Sequence, residues 1–322
     1  MRTGHLFAGI DGIGLGLEPH GFETAWFSEY EAAPSRVLAH HYPGVPNHGD
    51  ITAIDWSKVE PVDVLTGGYP CQPFSYAGSR GGDNDARHLW PFYRDAIRHL
   101  RPRLALLENV PGHRSLGFGR VLGDLAEAGY DCWWTSLRAS DVGAAHRRER
   151  VFIVATTADP GRIGQERRIK RTSDAQPDGL TEQSGLGLYS HDLAPDAVGL
   201  RRQRRGEHGD VASTSGAGEG DCEQRQPYGD AVDDRGFVDW GEFELSIRRW
   251  ERAIGRPAPA PTVGGRLSPE FVTWHMGFPA GWVDMIPRTQ ALKALGNAVV
   301  PQCADVIGRW ALDLVEAREV AA

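Results

Sequence analysis

At 322 residues the chain has room for one large domain plus a smaller one, and for a sizeable core. With 40% hydrophobic and 24% charged residues, no apolar run of about 18 residues and no secretory pattern in Met1-Arg2-Thr3-Gly4-His5, neither a membrane span nor a signal peptide is expected, and a cytoplasmic protein is. The net charge of −8 taken alone speaks against a nucleic-acid partner, because phosphate contacts need clustered Lys and Arg, so the local distribution has to decide.

The first half alternates short apolar runs with amphipathic stretches, which predicts strand and helix units of a parallel sheet, an α/β fold. Strands are expected at His5 to Phe7, Thr24 to Ser28, Val62 to Leu65, Leu104 to Leu107, Cys132 to Leu137 and Val151 to Thr156. Helices are expected at Trp90 to Leu100 and Arg120 to Ala128, the latter stopped by Gly129. From Ala158 to about Gly236 apolar residues thin out and Gly, Asp, Arg, Ser and Gln dominate, as in long loops. An apolar stripe returns at helical spacing at Phe243, Ile247, Trp250 and Ile254, before the Pro-rich stop 256–261. A last helix from Pro301 to about Ala317 puts Cys303, Ile307, Trp310 and Leu314 on one face.

Motifs that fall just after the strands land at the carboxyl edge of the sheet, where open α/β folds bind ligands. The first is Leu6-Phe7-Ala8-Gly9-Ile10-Asp11-Gly12-Ile13-Gly14-Leu15-Gly16, followed by Glu29 after the next apolar run. Glycines let backbone approach a cofactor, and an acid at the end of a second strand accepts bonds from ribose hydroxyls. On its own the motif fits a dinucleotide, S-adenosylmethionine or a ligand-free turn, and Glu29 a solvated strand end. The second is Gly67-Gly68-Tyr69-Pro70-Cys71-Gln72-Pro73-Phe74-Ser75. A lone cysteine is usually a small buried hydrophobe, but here it follows Pro70 in a glycine-rich stretch at the sheet edge, where a nucleophile belongs. Residues 75–87 have the glycines and polarity of a loop able to close over substrate.

Glu108 ends the apolar run 104–107, where a half-buried carboxyl has a raised pKa and can donate a proton, or simply caps the following turn. In His146-Arg147-Arg148-Glu149-Arg150, alternation into a strand puts Arg148 and Arg150 on one side, able to grip a base and its phosphate, unless the run is solvated surface. Ala294 to Pro301 reads as a turn feeding the last helix. Four cysteines without a C-x-x-C pair argue against a disulfide framework and a zinc site, so no metal is expected. Lys58, Lys170 and Lys293 are the only lysines; the arginine bias fits bidentate recognition and equally a GC-rich genome.

Taken in this order, the segments resemble the cytosine-5 DNA methyltransferase family, with further matches at Gly49-Asp50-Ile51-Thr52, Arg266-Leu267-Ser268-Pro269-Glu270 and Met276-Gly277-Phe278-Pro279. The resemblance covers about 1–157 and 262–322, and the stretch between fits only by position, as a target-recognition region. It implies a Rossmann-like S-adenosylmethionine methyltransferase sheet with helices on both faces, formed by 1–157 and 288–322, plus a smaller irregular target-recognition domain with hinge at 158–287. The resemblance further implies that Phe7, Ala8, Gly9, Ile10, Glu29, Asp50, Ile51, Gly68 and Pro70 contact S-adenosylmethionine. Tyr30 would stack on its adenine, and Asn297, Ala298 and Val299 would close the pocket from the chain's far end. Cys71 is implied as the nucleophile, Glu108 as the acid at the base, Arg148 and Arg150 as grips on a flipped cytosine, and Gln72, Ser75 and Arg87 as substrate contacts. Double-stranded DNA is the expected partner of a monomer, S-adenosylhomocysteine the product, and a cognate restriction endonuclease the genetic companion.

Two residues depart from the family pattern. Asp11 stands where glycine is usual, which bears on the cofactor loop because aspartate takes positive φ less readily. His146 stands where glutamine is usual, at a supporting position. Three other readings stay open: an RNA cytosine-5 methyltransferase with the same motifs; a nicotinamide oxidoreductase, which leaves Cys71, Glu108 and the arginine pair unexplained; and a non-catalytic Arg-rich DNA-binding protein.

Overall fold

The computed structural model describes residues 1–70, 89–157 and 238–321, with side chains through Arg318. Residues 71–88 and 158–237 lie outside the described residues, and with them the arginine-rich sequences at 167–171 and 201–205.

Six strands form the central sheet: β1 (Arg2–Leu6), β2 (Glu23–Ser28), β3 (Val64–Gly68), β4 (Leu104–Asn109), β5 (Tyr130–Arg138) and β6 (Glu149–Thr157). Their order is β2-β1-β3-β4-β6-β5. The first four run parallel, and β6 enters antiparallel between β4 and β5. All six expected strands are present with ends shifted by a few residues, β4 for instance pairing on through the polar Glu108 and Asn109; the expected all-parallel sheet is corrected at β6, which runs antiparallel to both its neighbours.

Both faces of the sheet are covered, and β4 shows why its run is apolar throughout. Successive side chains of a strand point to opposite faces. Leu104 and Leu106 enter one core with Phe152 and Val154 of β6, while Ala105 and Leu107 enter the other with Val151, Ile153 and Ala155. The second core is closed by α3 (Trp90–Leu100) and α4 (Phe118–Glu127) through Tyr93, Ile97, Val121 and Leu125. The first is closed by α1 (Gly12–Leu17), α2 (Ala32–His41), α5 (Glu244–Ile254), α6 (Pro269–His275), α7 (Arg288–Asn297) and α8 (Pro301–Ala321). A two-stranded ribbon, β7 (Thr262–Val263) and β8 (Arg266–Leu267), precedes α6.

Of the predicted stripe, Ile247 and Trp250 are buried, and the Trp250 indole donates to the Trp274 carbonyl. Phe243 instead lies outside α5, half exposed. On α8, Cys303 and Ile307 are buried as expected and Trp310 and Leu314 are partly buried. Trp240, Trp274, Phe278 and Trp282, from the stretch assigned by sequence to the recognition region, share the first core with Leu17 of α1.

The chain's two ends meet where α8 packs on α1. Gly16 makes that approach feasible, since a Cβ there would lie 2.2 Å from the Pro301 carbonyl oxygen and 2.6 Å from Ala304 Cβ. Backbone cannot yield as a flexible side chain does, so Gly16→Val is expected to cost about 2 kcal/mol or more in urea denaturation. Gly123 sits inside α4 with open space around it, and Gly123→Ala is expected to stabilise by about 0.5–1 kcal/mol. Equal effects of the two substitutions would refute the packing argument.

Candidate active site

The carboxyl ends of β1, β2, β3 and β4 lie side by side, and the singled-out motifs follow them. Glu108, 9% exposed, is opposite Gly68 in the β3–β4 register. Its Oε2 lies 2.5 Å from where a Cβ on residue 68 would sit, so glycine is required there for the carboxyl to fold over the neighbouring strand. Its Oε1 lies 2.9 Å from Arg150 Nε. Burial pushes the Glu108 carboxyl above the ordinary glutamate range, against the opposing pull of Arg150 and Arg148. Desolvation outweighs the two guanidinium groups, so this carboxyl takes up a proton more readily than an exposed glutamate does, while Arg150 Nε–H donates to it.

The chain leaving β3 is held from two sides. Asn109 Nδ2 donates to the Tyr69 carbonyl at 3.1 Å while its Oδ1 accepts from Val110 N at 2.9 Å. The Tyr69 hydroxyl meets His113 Nε2 at 2.7 Å. Asn109 and His113 were not singled out by sequence, although Asn109 directly follows Glu108 in the chain. The segment Tyr69-Pro70 is thereby fixed beside Glu108, and Cys71 is the next residue in the chain. Cys71, Gln72, Ser75 and Arg87 themselves lie outside the described residues.

Arg148 and Arg150 both bear on Glu108, but not by strand alternation. Arg148 precedes β6 and has φ 31°, a left-handed backbone unusual for a bulky residue. Its Nη2 donates to the carbonyls of Gly296 and Ala298, at 2.6 and 2.7 Å. Its Nε is buried without a hydrogen-bond partner among the described residues, and burial lowers the guanidinium to about 10, still cationic at neutral pH. Arg148 thus ties the 296–298 turn to the catalytic edge and keeps one donor uncommitted. His146 lies against His275 with ring centroids 4.4 Å apart and planes tilted by 37°, its Nε2 3.0 Å from the His275 carbonyl. Burial lowers its pKa, so it acts as a neutral donor, much as a glutamine amide would.

At the β2 end of the same edge, Glu29 Oε2 accepts from Gly9 N at 2.8 Å and Oε1 from Glu31 N at 2.7 Å. Burial raises its pKa while these backbone donors oppose. The backbone amides of Glu31, Gly9 and Tyr30 occupy at most three of the four acceptor positions of the carboxylate, which leaves one for a hydroxyl donor such as a ribose. Tyr30 beside it is 71% exposed, an uncovered aromatic face at the mouth of the edge. Phe7 and Gly9 have φ of 51° and 57°, which turns the backbone of the Phe7-Ala8-Gly9 loop toward Glu29. Asp50 caps the short turn Ile51–Ala53 through Thr52 N and is exposed, whereas Ile51 is buried. Ile10 is buried in the core, so only its backbone faces the loop, and its carbonyl accepts from Trp282 Nε1 at 2.9 Å. Asn297 is exposed at the end of α7, and Ala298 and Val299 are buried. Lys293 reaches across to Glu31 at 2.8 Å, bridging α7 to the β2 end.

The family C-5 cytosine-specific DNA methylase matches residues 1–311. The Type II methyltransferase M.NlaX of Neisseria lactamica is 29% identical over 315 residues, 94% of this chain and 92% of that protein. The Type II methyltransferase M.SsoII of Shigella sonnei is 28% identical over 303 residues, 91% of this chain and 75% of that protein. The S. pombe Dnmt2 methyltransferase structure has the same fold, with a TM-score of 0.57 at 16% identity, covering 98% of this chain and 99% of that one. No helix among the described residues is long and apolar enough to cross a membrane. The oxidoreductase reading is set aside by the family match, and the chain belongs to the C-5 cytosine-specific DNA methylase family and is a DNA (cytosine-5-)-methyltransferase.

Proposed function

We propose that the chain methylates carbon 5 of a cytosine flipped out of double-stranded DNA, through a covalent bond to Cys71, at one recognised sequence within a Type II restriction-modification setting. The observation that carries this reading is the buried, readily protonated Glu108 beside the anchored Tyr69-Pro70 segment that leads into Cys71. The Type II names of the relatives support the setting, with a cognate endonuclease as its other half.

The residues present fit S-adenosylmethionine: Glu29 offers a lone pair for the ribose, Tyr30 a free aromatic face for adenine, and the backbone of Phe7 to Ile10 a wall, with Asp50, Ile51, Gly68, Pro70 and 297–299 around it. When bound, S-adenosylmethionine supplies an electrophilic methyl group and leaves as S-adenosylhomocysteine. Carbon 5 of cytosine is a weak nucleophile, and the Cys71 thiolate corrects this by adding to carbon 6, forming the S–C6 bond and pushing electrons to carbon 5. Protonated Glu108 hydrogen-bonds ring nitrogen 3 and absorbs the charge that addition creates. After carbon 5 has gained its methyl group, loss of its proton to a base restores the ring and the S–C6 electrons return to Cys71.

Arg150 orients Glu108, and the uncommitted Nε of Arg148 faces the same edge as a donor to the base. A base must leave the stack to reach this edge, at a cost of a few kcal/mol. Gln72, Ser75 and Arg87, the 75–87 loop and the recognition segment 158–287 would offset that cost, with the arginine clusters near 167–171 and 201–205 tracking phosphates.

A duplex carrying 5-fluorocytosine at the methylated site tests the covalent step, because fluorine cannot leave as the proton does. The expected result is a DNA–protein adduct stable to SDS when S-adenosylmethionine is present and absent without it. No adduct, with methylation of normal duplex intact, would overturn the covalent reading. Labelled methyl appearing in tRNA and not in DNA would replace the substrate.

A further inference from the structure

The cofactor loop rests on a buried acid that the catalytic reading leaves unused. Asp11 is 1% exposed and has a left-handed backbone, φ 61° and ψ 44°, in the same loop as the positive-φ residues Phe7 and Gly9. Its amide donates to the Ala8 carbonyl at 2.8 Å, and its Oδ1 accepts from Gly14 N at 3.1 Å, capping α1. The carboxyl fills the place where a side chain on residue 14 would stand, so a glycine there is a condition of this arrangement. The acid therefore links the loop's first half to the helix that follows it.

Four elements pack against this carboxyl. From β1, His5 Nδ1 lies 3.5 Å from Oδ1. That imidazole is already engaged, by Thr66 Oγ1 of β3 at 2.8 Å and by Thr24 Oγ1 of β2 at 3.2 Å. From the end of α2, the Tyr42 hydroxyl lies against the acid, and from the turn after α1, Glu18 adds a negative charge. Gly14 of α1 contributes the backbone donor.

Among the described residues no cation faces Asp11. Burial holds His5 at about 3, so it is neutral in any ordinary buffer, and the His5–Asp11 contact is not an ion pair. Burial likewise pushes Asp11 up to about 8. Oδ2 and the Tyr42 hydroxyl are both buried without a hydrogen-bond partner of good geometry among the described residues, so the Gly14 amide is the one well-formed donor to the carboxyl and burial favours its neutral form.

We propose that Asp11 is a positioning residue for S-adenosylmethionine: bonded to the Ala8 carbonyl through its amide and to Gly14 N through its carboxyl, it holds the Phe7–Asp11 loop in its receiving conformation. Ionisation of that buried carboxyl as pH rises loosens the loop and weakens cofactor binding. The inference rests on the reading of that loop as the cofactor wall. Where the family usually has glycine, this chain thus has a side chain that makes loop geometry dependent on pH.

Calorimetric titration of the full chain with S-adenosylmethionine between pH 7 and 9.5 tests this, with Asp11→Asn and Tyr42→Phe in parallel. Asparagine cannot ionise, so Asp11→Asn reports the titration of the ligand's own ammonium, near 8, and the difference from wild type isolates Asp11. Wild-type affinity is expected to fall about tenfold more than that of Asp11→Asn by pH 9, as one ionisation near 8 requires. Tyr42→Phe is expected to displace the midpoint of the wild-type decline. Parallel declines in wild type and Asp11→Asn, or an unmoved midpoint in Tyr42→Phe should Asp11→Asn not fold, would overturn the proposal.

Melting curves supply a readout independent of cofactor. An acid whose pKa is raised by folding stabilises the fold below the unfolded value near 4, and that contribution is lost as pH rises toward about 8. The melting temperature of Asp11→Asn is therefore expected to gain on wild type from pH 5 to pH 8 and to keep a constant lead above that. A lead that does not grow would overturn the buried neutral acid. Absence of any S-adenosylmethionine binding in wild type with this melting pattern intact would instead overturn the cofactor wall, and the positioning role with it.

Discussion

Cys71→Ala is expected to lower methyl transfer to DNA by about 10⁴-fold or more, measured as incorporation of labelled methyl, while binding of duplex and of S-adenosylmethionine persists. The size follows from the chemistry: without sulfur addition at carbon 6, carbon 5 has too little electron density to attack a methyl group. Other cysteines cannot take over among the described residues. Burial pushes both Cys132 on β5 and Cys303 on α8 up to about 12, so neither offers a thiolate near neutral pH. Cys71→Ser is expected to be nearly as inactive, because an alkoxide is far less available than a thiolate. Activity within tenfold of wild type in either variant would remove the covalent mechanism, and unchanged cofactor binding would show that the fold had survived.

The fold was legible where one periodicity or one run dominates. The continuous apolar run of β4 announces a strand buried on both faces, and Trp90–Leu100 coincides with its predicted helix because its apolar face is set by helical spacing alone. The candidate site was legible only as motifs: Glu29, Gly68, Glu108 and the two arginines, each singled out by its local pattern, lie at one end of the sheet. What sequence could not give depends on partners far away in the chain. Arg148 departs from strand alternation because its backbone turns left-handed to reach the carbonyls of Gly296 and Ala298. Trp282 supports the cofactor loop through a hydrogen bond to Ile10, 272 residues earlier, and nothing local marks it for that task. Asp11 takes positive φ less readily than glycine, yet it is left-handed here, where its carboxyl accepts from Gly14 N and caps the helix that follows.

Glu108→Gln is expected to lower kcat by about 10²-fold or more, with KM for DNA changed little. The amide keeps a donor for ring nitrogen 3 and fits the same space over Gly68, so binding persists; what it cannot do is hand over a proton as charge develops. The pH profile separates this from a packing defect. Burial raises the Glu108 pKa, so its protonated, competent form survives above the ordinary glutamate range and is lost as pH rises through the raised value. The thiolate of Cys71 grows in the same direction, and the wild-type rate should therefore pass through a maximum whose alkaline descent belongs to Glu108. Glu108→Gln should retain the rise and lose that descent. Arg150→Ala should shift the descent to higher pH, since removing the cation at 2.9 Å leaves desolvation unopposed and holds the proton more firmly. An alkaline descent that persists unchanged in Glu108→Gln would mean that the proton at nitrogen 3 comes from another group, and Glu108 would be left with only the ion pair to Arg150.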